Sequence, residues 1–167
     1  MKLRQALLIT AATVGIIAAS IGVNVYWQYR TARPPQLADI PAYSSENPMA
    51  DIPEPQRTDA ETKMRNLAAT AQPGYRLAEE RFLATSTRFI WDALRHDIES
   101  YLGAGYTLAS SRYSTDHTMI YHVYRRHGLR QRFDDDAILV AGLHKPIART
   151  VTGDEVHLYG YFRLTPS

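Results

Sequence analysis

Four stretches in the second half of the chain are strand-like in their pattern of apolar and polar side chains. They are "GYTLASSRYS" (105–114), "TMIYHVYRR" (118–126), "AILVAGLHK" (137–145) and "EVHLYGYFRL" (155–164). Residues two apart on a strand share a face. In the fourth stretch Val156, Leu158, Phe162 and Leu164 therefore point one way, and His157, Tyr159, Tyr161 and Arg163 the other. The third is apolar on both faces, which predicts an interior strand. Ser, Asp and Gly residues punctuate the series, with "TGDE" at 152–155 read as a hairpin tip. Connections this short predict an antiparallel meander.

Ahead of these strands the pattern changes to a period near 3.6. "DAETKMRNLAATAQ" (59–72) has an acidic first turn and carries Met64, Leu67, Ala68 and Ala71 at helical spacing, and Pro73-Gly74 stops it. A second, longer helix is predicted from Tyr75 to Leu102, ending at Gly103. On it Phe82, Leu83, Phe89, Ile90, Leu94, Ile98 and Tyr101 share a broad face, opposite Arg81, Arg88, Arg95 and Glu99. The expected fold class is α+β: one long helix packed on a curved four-stranded antiparallel sheet.

The N-terminal third is different in kind. Residues 6–29, "ALLITAATVGIIAASIGVNVYWQY", carry no charge and are long enough to cross the ~30 Å hydrocarbon core of a bilayer. Lys2 and Arg4 precede this run, while Tyr26, Trp27 and Tyr29 stand where an interfacial belt would lie. A single-pass signal-anchor over 1–30 is expected, N-terminus inside, with the soluble part in the periplasm of a bacterial inner membrane. A cleaved signal peptide, cut after "AAS" at 18–20, is the rival. Residues 31–58 hold prolines at 34, 35, 41, 48, 53 and 55. Neither a helix nor a central strand runs through such a segment, so an extended, polyproline-like linker is expected. "ADIP" occurs in it twice, at 38–41 and 50–53, either as linker bias or as a pair of short docking motifs. That leaves 59–167 as the folded domain.

In element order, a short helix, a long helix and a four-stranded meander, the domain resembles the cystatin-like and NTF2-like architectures. The wider plan of anchor, proline-rich spacer and helix-plus-sheet domain looks like that of the inner-membrane scaffold proteins of type IV secretion systems, whose periplasmic domains are NTF2-like. Type IV pilins also join an N-terminal apolar helix to a sheet, but their glycine-plus-glutamate processing signal does not occur here.

Composition narrows the chemistry. The chain has no cysteine, which excludes disulfides, thiol catalysis and Cys-ligated zinc, and its formal charge is only +2. Near-neutrality beside a membrane tether argues against nucleic acid as a partner. His117, His122 and His127 fall five apart, but on one regular strand His122 faces away from the other two. A metal would need further ligands, such as the run Asp134 to Asp136 or His144. The run reads more simply as a solvated turn, the histidines as incidental, and no metal or cofactor is expected. No G-x-S-x-G, H-E-x-x-H or comparable signature occurs, and no catalytic residue is assigned.

Two groupings remain. His122, Tyr124, Arg126, His157, Tyr159, Tyr161 and Arg163 share the outer face of the predicted sheet. They form an aromatic and basic platform suited to protein partners, or else ordinary cross-strand packing. Asp97, near Ser86 on the apolar face of the predicted long helix, is a pocket carboxylate or one held by a tyrosine or arginine. The overall expectation is a non-catalytic, membrane-anchored subunit or assembly factor of a bacterial envelope complex, which could oligomerise. The alternatives are an NTF2-like small-molecule-binding or enzymatic domain around Asp97, and a membrane-anchored periplasmic immunity protein.

Overall fold

The computed structural model describes residues 17, 19–27, 36–87, 90–127, 131 and 135–167. It divides into two units, 1–33 and 34–167. In the first, Ile17 and residues 19–27 are helical, and the remainder of the expected span lies outside the described residues. No helix among the described residues is long and apolar enough to cross a membrane.

The second unit is α+β, with an antiparallel sheet. Helix α1 (Glu54–Thr70) leads into strand β1 (Tyr75–Thr85), then helix α2 (Trp91–Leu102). Strands β2 (Tyr106–Tyr113), β3 (Met119–Arg126), β4 (Ala137–Leu143), β5 (Ala148–Arg149) and β6 (Glu155–Pro166) complete the chain. The sheet order is β1-β6-β4-β3-β2, with β5 paired to β6. The four strand-like stretches are therefore strands, and they form the expected meander. The apolar third, β4, is the central strand. The tip at 152–155 closes the β5–β6 hairpin, where Gly153 takes a φ of 91°.

The predicted helix over 75–102 does not form. Its first third is β1, an edge strand paired antiparallel to β6, with Tyr75 opposite Pro166 and Thr85 opposite His157. A bulge between Leu77 and Glu79 shifts the alternation by one residue. Leu77, Phe82 and Ala84 then reach one core and Leu83 the other. Tertiary pairing overrides the helical preference of "LAEERFLA". The helix begins only at Trp91, and Gly103, at φ 56°, ends it.

The single covered face expected of a cystatin-like or NTF2-like sheet is likewise replaced. Here both faces are buried. Ala60, Met64 and Ala68 of α1 cover one, against Tyr121, Val123, Leu139, Leu158 and Phe162. Leu94 and Ile98 of α2 cover the other, against Tyr124, Ile138, Val140, Tyr159 and Tyr161. Two strand glycines admit the rings that seal these layers. A Cβ on Gly160 would stand 2.9 Å from Phe162 Cζ, and one on Gly142 would stand 2.8 Å from Trp91 Cζ2.

The extended linker is also corrected over 36–53. Leu37–Asp39 and Pro48–Asp51 are 3-10 turns, and Pro53-Glu54-Pro55 begins α1 rather than ending a spacer. The two "ADIP" repeats adopt the same structure. In each, the Ile amide closes the turn, Ile40 onto the Leu37 carbonyl and Ile52 onto that of Met49, both at 3.3 Å. The prolines that follow suit the extended backbone of Ile40 and Ile52. Ile40 is buried in the α2-side core and Ile52 in the α1-side core. The segment is a strap around the β1 edge, pegged on both faces of the sheet.

Candidate functional site

The predicted aromatic platform exists as a shared face and not as an exposed one. Tyr124, Tyr159 and Tyr161 are at most 1% exposed, and His122 and Arg126 are 5% and 3%. His157 and Arg163 are half-buried. The alternation assigned these residues correctly to one side, and α2 with the strap then covers that side. The reading of them as an accessible partner-binding surface is corrected for this reason.

Their polar atoms serve the strap. Tyr161 Oη donates to the Pro41 carbonyl at 2.9 Å, and the Tyr43 amide donates to Tyr159 Oη at 2.9 Å. Arg81, from β1, directs Nη1 at the carbonyls of Leu37, Ala38 and Ile40, at 2.8, 3.0 and 2.7 Å. Burial pushes both tyrosine hydroxyls above the ordinary phenol range, most strongly for Tyr161, where the neighbouring Tyr159 adds to the effect. They work here as neutral hydrogen-bonding groups. On the β1 edge, the Ala84 amide donates to Asn47 Oδ1 at 3.2 Å, and Ser86 Oγ donates to Glu46 at 2.7 Å. Ser86 thus belongs to the strap contact. Asp97 lies on the exposed side of α2, which removes the pocket expected around the pair.

The Arg126 end of the same face holds a buried charge cluster. The Arg126 guanidinium pairs with Asp136, itself fully buried, and its Nε also donates to Tyr106 Oη at 3.1 Å. Tyr106 Oη in turn donates to Asp136 Oδ2 at 2.8 Å. Burial, with the Asp136 charge beside it, holds the Tyr106 hydroxyl in its protonated form. Next to it, Asp135 accepts from Tyr75 Oη at 2.8 Å, and Arg125 donates to the same phenol. Two of the three aspartates expected in a solvated turn therefore lock β3, β4 and β1 together. The third, Asp134, lies outside the described residues.

The histidines are dispersed. His117, at φ 56°, sits in the β2–β3 turn, His122 is interior, and His127 is exposed beyond β3. Among the described residues, no group of three or more His, Asp or Glu side chains is placed as metal ligands would be. His122 and His157 do contribute to one cavity, about 440 Å³ in volume, between the first turn of α2 and strands β2 and β3. Trp91, Asp92, Ser111, Arg112 and Tyr113 line it with them. Burial depresses the basicity of both imidazoles, for His122 with help from Arg95 and for His157 against the pull of Glu155. Sequence reasoning found His122 by its strand and missed Trp91, because that position was counted inside a longer helix. No protein-family model, curated protein or solved structure matches this chain.

Proposed function

We propose that the protein is a non-catalytic, membrane-anchored subunit or assembly factor of a bacterial envelope complex, held by residues 6–29 and acting through protein contacts in the periplasm. The uncharged 24-residue run between basic and aromatic flanks supports the anchor.

The single observation that carries the contact reading is the difference between the two sheet edges. Among the described residues the strap covers β1, whereas β2 pairs only with β3 and leaves Thr107, Ala109, Ser111 and Tyr113 exposed. An uncovered edge can accept a strand from another chain. The enzymatic alternative has lost its pocket carboxylate, since Asp97 faces solvent.

The test compares wild type with a Thr107→Lys, Ala109→Lys variant, purified from membranes in mild detergent. Carbonate-resistant protein, a periplasmic signal from a C-terminal topology reporter, and partners lost only from the variant are the expected results. Release by carbonate would overturn the anchor. A variant that keeps every partner would overturn the edge as the contact surface.

A further inference from the structure

The cavity beside α2 has a chemistry that the envelope-subunit reading does not use. His122 forms part of its wall and is 5% exposed, yet neither Nδ1 nor Nε2 has a hydrogen-bond partner among the described residues. A neutral imidazole presents one N–H donor and one bare acceptor. A carboxylate or phosphodiester only accepts and an ammonium only donates, so neither can satisfy both nitrogens. A hydroxyl or an acetamide does both.

The charges around the opening agree. Asp92 and Arg112, one of each sign, are both exposed there, so a formal ion of either sign meets a like charge. The rest of the lining is the Ser111 hydroxyl, the imidazoles of His144 and His157, the Ile120 side chain, and the rings of Trp91 and Tyr113, which offer apolar faces. A volume near 440 Å³ falls within the range of small-ligand sites. The nitrogens of His122 have no exposed surface, and the Trp91 indole stands edge-on to that ring at 5.5 Å and 77°. Swinging the indole aside would open a route to them.

We propose that this cavity binds a neutral sugar unit, with hydroxyl or acetamido groups bonded to His122 and Ser111, the ring face on Tyr113, and Trp91 displaced on entry.

Trp91 reports on this directly, because Trp27 is the only other tryptophan. The full chain carrying Trp27→Phe, in a sugar-free detergent, is titrated with the disaccharide of N-acetylglucosamine while Trp91 emission is followed. A saturable change is expected, weakened at least tenfold by His122→Phe and severalfold by Ser111→Ala, an exposed position that leaves folding unaffected. Asp97→Asn, on the far side of α2, should leave it unchanged. The absence of a saturable response overturns the proposal. So does a response that survives both cavity variants, or saturation by inorganic phosphate or adenosine in place of the sugar. None of these outcomes bears on carbonate extraction or co-purification, so the envelope-subunit reading stands or falls separately.

Discussion

Arg81 Nη1 donates to the Ile40 carbonyl at 2.7 Å, fastening the edge strand β1 to the first of two matched Ala-Asp-Ile-Pro turns. The same nitrogen reaches the Leu37 and Ala38 carbonyls. Charge-assisted bonds of this kind are worth more than neutral ones. Arg81→Met should lower unfolding stability by about 2 kcal/mol, read from urea denaturation. Limited proteolysis should then cut first within 36–53. A variant with unchanged stability would mean that the clamp contributes nothing.

Ile40 and Ile52 are pegs in separate cores on opposite faces of one sheet. Each Ile→Ala change should cost about 2–5 kcal/mol through the cavity it leaves. With a sheet between them the two costs should add within about 0.5 kcal/mol. A strongly non-additive double variant would show instead that the strap binds or releases as one piece.

The buried tyrosines differ in what their hydroxyls do. Tyr161→Phe removes the donor to the Pro41 carbonyl and should cost about 1 kcal/mol. Tyr124, equally buried, has a hydroxyl with no hydrogen-bond partner among the described residues. Tyr124→Phe should therefore leave stability unchanged or raise it, since an unbonded buried hydroxyl is itself a cost. Thermal unfolding of the two variants side by side checks the contrast.

The meander was legible because alternation survives in β3 and β6, and an unbroken apolar run in β4, whatever packs on them. Even the grouping of Tyr124 with Tyr159 and Tyr161 on one face followed from parity alone. What covers that face was not legible. Its cover comes from residues 91–102 and 36–43, and both segments carried signals of something else. "YRLAEERFLA" is rich in helix formers and its apolar positions match a helical stripe, so β1 and α2 read as one element without the break between them. Six prolines in 31–58 argued against helices and central strands there, and over 36–53 the structure has only 3-10 turns, while α1 starts at Glu54 within that segment. They did not exclude 3-10 turns, whose first positions and exits proline suits. Only the repeat of "ADIP" marked the pegs, and a repeat alone does not say which surface it docks against.

Acidification should weaken the domain through His122. Its folded-state basicity is depressed, chiefly by burial and next by Arg95, while Glu99 and Asp92 oppose the shift. As pH falls through the unfolded histidine value of 6.5, the unfolded chain takes up a proton that the folded site refuses. Stability therefore falls from that point downward. The midpoint of thermal unfolding should drop between pH 7.5 and 5, and His122→Phe should make that part of the profile shallower. An identical slope in both proteins would assign the titration elsewhere. His157, depressed in the same direction, is the first candidate.

The pairing of β1 with β6 has a consequence for biosynthesis. Tyr75 sits opposite Pro166, and the Ser167 amide closes onto the Gly74 carbonyl at 2.9 Å. A nascent chain thus exposes β1 long before its neighbour strand has been made. At ~5–20 residues per second the wait lasts several seconds. Throughout it Leu77, Phe82 and Leu83 lie on an unpaired strand, and the strap has no finished sheet to grip. Non-local closure of this kind is slow and open to aggregation. The newly made polypeptide therefore needs shielding until β6 emerges, and chaperone supply, more than the strength of the finished core, should limit its yield.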